Sequence, residues 1–370
     1  MTLRRTIAPE AAPAPERALE SIGINAVFLQ ARMGGIETYL RQLVPALLAA
    51  RPGLRISLFL GALGLEALRD EPWLDETRVI THPWLGRPYT RAVTEMTLLG
   101  RLASKAGIDV LHNVALTGPL ATRPANVLTV ADVIWLREPE SVGRYVSLFW
   151  RSFVPVVARR VDRVISYSAS ARSEISADFR IPESRIDVVP LAPTPPTIEP
   201  TAEAELRDRL QLGSGRIVLS TSAQRVHKNL GALIRALPAV LRAAPDATLV
   251  VPGNPTPHRE ELTGLAVELR VRDAVKFPGW VDTADLEGLY RAASCFVFPS
   301  RHEGFWLPIL DAMQRRVPVA CSDASALPEV AGDGAMYFDP DRPDELAACL
   351  VKLLTRPEAA RELALRGFEH

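Results

Sequence analysis

The chain has 370 residues, 48% of them apolar, and 43 basic against 43 acidic side chains, for a formal net charge of zero. That length can build two domains with real cores, and the charge balance argues against a nucleic acid as partner. No apolar stretch reaches the roughly 18 residues of a membrane span, and Cys295, Cys321 and Cys349 lack metal-ligand spacing, which suits buried thiols in a reducing compartment.

Residues 1–20 are rich in Ala, Pro and Glu and predict a disordered tail. Arg4 and Arg5 are followed by no apolar run, so a cytoplasmic chain is expected rather than a secreted one. Periodicity predicts a strand over 22–29, a helix over 36–50 and a strand over 55–60. Between the first two lies Gly34-Gly35, where glycine permits positive φ and close approach of a ligand, although such a pair is also an ordinary turn. Helices are predicted over 91–105 and 169–179, with strands over 110–112, 127–130, 164–167 and 186–189. His112 ends one of these strands, a position where histidine is more often structural than functional.

The segment 145–160 carries Phe149, Trp150 and Phe153, with Arg144, Arg151, Arg159 and Arg160 around it. It reads either as a basic amphipathic face for a membrane surface or as core aromatics with solvated arginines. Because it runs straight into the strand at 164, the core reading is favoured. From Ala192 to Pro200, four prolines in nine residues make a stiff connector and mark a domain boundary. The predicted domains are 21–191 and 204–370, with 192–203 as linker. The second contains strands over 217–221, 248–251, 275–277, 295–298 and 317–321. The alternation predicts an α/β protein of two doubly wound parallel sheets facing each other across a cleft.

The apolar run at 295–298 reads as a strand buried on both faces, and it stops at Pro299. A turn with Glu303 and Gly304 follows, then a helix over 307–315. Glu303 and Asp311 thus bracket a loop-to-helix junction at the carboxyl end of a strand, where doubly wound sheets bind ligands. Taken singly, Glu303 could cap its own turn and Asp311 could be a helix-surface acid. Arg225 and Lys228 follow the strand at 217–221 and precede a helix predicted from about 228. Two cations beside a helix N-terminus suit a pyrophosphate. Alone they read more simply as solvated charges, but with Glu303 in register the phosphate reading is favoured.

The run Glu303-Gly304-Phe305-Trp306-Leu307-Pro308, followed by Asp311-Ala312-Met313, resembles the donor motif of the retaining glycosyltransferases of family 4, in which Glu, seven residues and Glu recur. Met33-Gly34-Gly35-Ile36-Glu37-Thr38, Thr129-Val130-Ala131-Asp132, Asp162-Arg163-Val164-Ile165, Ile186-Asp187-Val188-Val189-Pro190 and Arg225-Val226-His227-Lys228-Asn229-Leu230 match in family order. Together they extend over nearly the whole chain from residue 21. The resemblance implies the GT-B fold: an acceptor-side Rossmann-like domain at 21–191 and a nucleotide-sugar-binding one at 204–370. It also implies retaining, metal-independent transfer of a sugar from a nucleoside diphosphate to a glycan or lipid-linked acceptor in cell-surface polysaccharide biosynthesis. No cofactor is expected, because the nucleotide sugar is a substrate.

By the same resemblance, the catalytic residues are Glu303, Arg225 and Lys228. Arg225 and Lys228 meet the departing diphosphate, Glu303 holds the sugar, and Gly304, Phe305, Trp306 and Leu307 line the donor. Asp311 meets the ribose with a reach about 1.5 Å shorter than the family's Glu. Gly34, Gly35, Ala131 and Asp132 are expected on the acceptor side of the cleft, and contact with the inner face of a membrane is a further expectation. Many family members have His where Ala131 stands and Gly where Trp306 stands, both at the outer end of the donor hexose. Loss of a polar partner and gain of apolar surface there imply preference for a 6-deoxy sugar, unless Trp306 turns into the core. Family members also continue helically beyond the equivalent of 366–369, so the sequence is expected to be truncated. Two other readings stay open: a degenerate, non-catalytic sugar-nucleotide-binding subunit, and a sugar-nucleotide epimerase of related fold. The latter would need an acid or base near the anomeric carbon, and Ala131 removes one candidate. A phosphorylase-like enzyme would need a lysine-bound pyridoxal phosphate, for which no pattern is present.

Overall fold

The computed structural model describes residues 18–86 and 91–370. Positions 1–17 of the predicted tail lie outside the described residues, and 18–20 lead into the first strand. Strands β1 (Ser21–Ala26), β2 (Arg55–Leu60), β3 (Arg78–Thr81), β4 (Val110–Asn113), β5 (Ala125–Thr129), β6 (Arg163–Ser166) and β7 (Ile186–Val188) form a sheet in the order β3-β2-β1-β4-β5-β6-β7. Strands β8 (Ile217–Leu219), β9 (Thr248–Pro252), β10 (Val275–Gly279), β11 (Ala293–Phe298), β12 (Val319–Ser322) and β13 (Ala335–Phe338) form a second, in the order β10-β9-β8-β11-β12-β13. The β8, β11 and β12 pairings are parallel, as are those of β1 with β2 and β4. The fold is therefore two Rossmann-like parallel sheets with helices between successive strands except β4 and β5, in keeping with the predicted alternation. Strand order reverses between β8 and β11, which is where such sheets open a ligand crevice.

The described residues divide into two compact units: those up to Val114 with Ala121–Asn126, and Ala115–Leu120 with Val127–His370. The second contains the whole six-stranded sheet. Its centre is β11, where Cys295, Phe296, Val297 and Phe298 are all fully buried. Side chains alternate across a strand, so Cys295 and Val297 join the core under the helices Leu230–Ala243 and Pro343–Thr355, while Phe296 and Phe298 join the core under the helix Leu307–Gln314. A continuous apolar run is what burial on both faces requires.

Several boundaries differ from expectation. The apolar run at 22–29 leaves the sheet at Ala26, because Leu29 N–H closes a turn onto the Ala26 carbonyl at 3.0 Å, and Val27–Leu29 are buried as a turn. The helix expected over 91–105 is interrupted by a π-turn at Glu95–Leu99, which buries Glu95 beside Arg91, and it ends at Gly107 with φ of 68°. Strands β3 and β13 lie outside the predictions: both have only four residues and are outermost in their sheets, β3 with two apolar residues between polar ends and β13 with the apolar run Ala335–Phe338. The proline-rich segment has no regular element, and its Thr194 N–H is bonded to Asp311 Oδ1 at 2.7 Å. The three cysteines are free and buried.

The segment 145–160 lies within the helix Arg144–Arg160, and the core reading holds for only part of it. Trp150 meets Trp135 edge-on at 6.1 Å, whereas Tyr145 is 91% and Leu148 64% exposed. Arg144, Arg151, Arg159 and Arg160 are exposed as well. Among the described residues no helix is long and apolar enough to cross a membrane.

Candidate functional site

After β8 the chain forms a 3-10 turn at Val226–Lys228, and Asn229 adopts the left-handed conformation with φ of 54°. Its side chain donates to the Pro340 carbonyl at 2.7 Å, and the helix begins at Leu230 rather than at 228. This turn separates the two predicted cations: Arg225 stays exposed, while Lys228 is 5% exposed and directed inward. After β11, Arg301 N–H donates to the His227 carbonyl at 3.0 Å, and Ser300 Oγ lies 3.0 Å from the same oxygen. The β8 and β11 loops are thereby tied together at their bases.

The tie sets the central pair. Lys228 Nζ donates to Glu303 Oε1 at 2.7 Å, and Ser300 Oγ donates to the same oxygen at 2.6 Å. Among the described residues Glu303 Oε2 accepts no hydrogen bond, and the ammonium has no second acceptor. The ammonium instead lies 3.2 Å from the centroid of the Trp306 ring and 5.2 Å from that of Phe298, and these rings stack at 4.5 Å and 16°. Burial pushes the Glu303 carboxyl up and the Lys228 ammonium down, and the charge of each opposes the shift of the other.

Segment 127–179 packs directly on this loop. A Cβ at Gly304 would lie 1.8 Å from the Ala131 carbonyl oxygen and 2.8 Å from Asp132 Cβ, so only glycine fits. Ser168 Oγ donates to the Gly304 carbonyl at 2.6 Å, and Phe305 meets Tyr167 edge-on at 6.3 Å. The structure thus brings Ala131 and Asp132 against the loop that carries Glu303. Asp132 accepts from Ile134 N–H at 3.0 Å; burial raises its pKa even though His302 and Lys228 oppose this. Burial lowers the pKa of His302, but Glu174 at 3.1 Å, with Asp132 and Glu303, outweighs it and the net shift is upward. His227 is held neutral at about 3, first by burial and then by Lys228, Arg225 and His302.

Asp311 lies on the helix Leu307–Gln314, which opens at Leu307 with Pro308 in its first turn. Its Oδ1 is engaged by Thr194 N–H, Arg315 lies 3.9 Å away, and burial raises the carboxyl to about 6. Gly34 and Gly35 stand at the start of the helix Gly35–Ala50 in the first compact unit, and neither would bring a Cβ within 4 Å of another atom. His112 is buried within β4, and burial lowers it to about 4.

Ser168, Glu174, Ser300, His302 and Glu329 were not sequence candidates. Glu329 accepts the N–H groups of Ala169 at 2.7 Å and Ser170 at 3.1 Å, at the start of the helix Ala169–Phe179. Only Ser168 had a local signal, as a serine directly before a predicted helix: it caps Ala171 N–H at 3.0 Å. Among the described residues no group of three or more His, Cys, Asp or Glu side chains is arranged to hold a metal ion.

Comparison with known proteins bears on this geometry. Residues 33–192 match the family described as Glycosyltransferase Family 4, and residues 215–356 match Glycosyl transferases group 1. The chain is 34% identical to the O-antigen chain mannosyltransferase B of Escherichia coli over 54% of its own length, and spans only about half of that relative, 53%. It is 26% identical to the GDP-mannose-dependent alpha-(1-6)-phosphatidylinositol monomannoside mannosyltransferase of Mycobacterium tuberculosis, covering 91% of this chain and 90% of the relative. The solved structure of sucrose-phosphate synthase from Thermosynechococcus elongatus superposes with a TM-score of 0.72 at 21% identity, covering 95% of this chain and 93% of that one. Matched by the two family models in chain order and by GT-B architecture, the chain belongs to the group 1, family 4 glycosyltransferases.

Proposed function

We propose that the protein is a retaining glycosyltransferase that moves a sugar from a nucleoside diphosphate to a hydroxyl of a glycan or lipid-linked acceptor, with side chains rather than a metal stabilising the leaving group. The observation that carries the reading is the Lys228–Glu303 pair: a buried ammonium with one acceptor beside a buried carboxylate with one unengaged oxygen, at the β8/β11 switch point. As the bond from the anomeric carbon to the β-phosphate oxygen breaks, its electron pair passes to the diphosphate and positive charge grows on the sugar. Lys228 has protons to offer the first, with exposed Arg225 in support, and Glu303 Oε2 can hold hydroxyls of the second. Because both charges are fixed beforehand, they favour the transition state over the ground state. The acceptor hydroxyl's proton leaves on the departing diphosphate, and retention of configuration is carried over from the resemblance. Asp311 is the candidate for the ribose, sharing its carboxylate with Thr194.

Lys228→Ala tests this reading. It should lower turnover at least about tenfold, since one charged contact in a dry site is worth roughly 1.5–3 kcal/mol, and weaken GDP or UDP binding in parallel. Unchanged turnover and diphosphate affinity would overturn it. Full activity after exhaustive chelation is expected, and loss of activity rescued by a divalent cation would remove the metal-independent part. Diphosphate binding without transfer to any acceptor would favour a non-catalytic sugar-nucleotide-binding subunit.

The relatives' names make GDP-mannose the first donor to test. Ala131 and Trp306 support a second reading, a 6-deoxy sugar such as rhamnose or fucose. Trp306 packs against the core beside Phe298 and is half-buried, so a methyl group would meet the part of the indole left uncovered, where a hydroxyl would be left unpaired. Donor competition at matched base decides it, and equal or better use of the hydroxylated hexose refutes the 6-deoxy preference. A lipid-linked acceptor is supported by exposed Tyr145 and Leu148 among the arginines of one helix. Sedimentation with anionic vesicles should be lost in Tyr145→Ser with Leu148→Ser, and equal binding by that variant would remove this part.

A further inference from the structure

We propose that Trp306 is a positioning residue for the Lys228 ammonium, its indole face completing a water-poor socket that aims the cation at the diphosphate; the inference rests on the role given to Lys228 above. An ammonium has three protons to place. Here one goes to Glu303 Oε1, and the indole centroid lies 3.2 Å from the nitrogen, inside cation–π range. Phe298 stacks on the indole at 4.5 Å and lies 5.2 Å from the same ammonium. The indole is held by its faces and not by its polar edge, because Nε1 is buried without a hydrogen-bond partner among the described residues. With glycine at 306 the cation would keep Glu303 and the longer contact to Phe298 at 5.2 Å and lose its nearest ring.

The indole opposes the loss of charge that burial imposes on Lys228. The other groups acting on that ammonium are Glu303 and Asp132, which favour its charged form, and Arg225, which opposes it. His227 and His302 lie on the two adjoining loops; the first is held neutral and the second is raised toward its charged form. Trp306 has extended backbone, φ −143° and ψ 97°, so other side chains are tolerated there without strain.

The test uses the full chain, with GDP and UDP as probes, and follows diphosphate affinity against pH. Trp306→Leu should weaken affinity about tenfold at neutral pH and move the alkaline loss of binding to lower pH, because the unsupported ammonium deprotonates earlier. Trp306→Phe should keep most of both. A purely structural role would lower the melting temperature and leave the alkaline limb where it is. If the Leu variant does not fold, Trp306→Met, flexible enough to fill the space, is read in the same way. Weakened binding in Lys228→Ala with unchanged affinity and alkaline limb in the non-aromatic variants would overturn the inference alone. Unchanged binding in Lys228→Ala would overturn the reading beneath it.

Discussion

At the end of β1, Gly34 has φ of 73°, caps the helix Gly35–Ala50 and has open space where a Cβ would stand. After β11, Gly304 has no positive φ, yet a Cβ there would come within 1.8 Å of the Ala131 carbonyl. Both are glycines at strand-to-helix junctions, and sequence gives them the same appearance. The first serves torsion and the second serves volume. The difference shows how the two junctions are built: one is an open loop that a ligand can approach, the other a loop held from behind by Ala131, Ser168 and Ser300 so that Glu303 has one position.

The strongest way to break this contrast is Gly304→Ala. Backbone faces backbone, so no rotamer can yield, and we expect destabilisation of about 3 kcal/mol with transfer lost because Glu303 shifts. A melting temperature within a degree or two of the parent would show that the contact is not needed.

A smaller effect concerns the second acid of the crowded junction. Burial holds the Asp311 carboxyl at about 6, above its ordinary 3.8. The folded chain therefore binds a proton that the unfolded chain releases between those values, and stability from this group falls as pH rises through that window. In Asp311→Asn this part should vanish. Subtracting the two denaturation profiles isolates it from Glu303, Asp132 and His302, and a difference on the order of 2 kcal/mol across the window is expected. A flat difference would mean that the Thr194 bond compensates for burial.

The open junction gives the smallest effects and sharpens the comparison. Gly34→Ala should cost about 1 kcal/mol, because an L-residue is strained at that φ although nothing is in its way. Gly35→Ala, with room and no positive φ at the first position of a helix, should be neutral or stabilising by a few tenths of a kcal/mol. Equal losses at 34 and 35 would mean that the loop is crowded after all, and chemical denaturation of both variants would reveal it.

Local pattern alone determined much of this protein. Four consecutive apolar residues before Pro299 gave a strand buried on both faces, the helical pattern from Leu307 placed the following helix, and alternating strands and helices gave two parallel sheets. The candidate acids and cations were also visible as residue types at strand ends. Tertiary structure decided what each of them does. Arg225 and Lys228 carry the same charge three residues apart, and only the left-handed Asn229 and the Arg301–His227 tie make one exposed and the other buried. Lys228 and Glu303 are 75 positions apart and meet because β8 and β11 are neighbours in the sheet. Edge strand β3 owes its place to pairing with β2 more than to its own apolar pattern. Nor does anything near Asp311 in sequence announce Thr194, or anything near Trp306 the ammonium on its face. Periodicity and propensity are encoded within a few residues, whereas the partner of a buried charge is set by strand order, and strand order is a property of the assembled sheet.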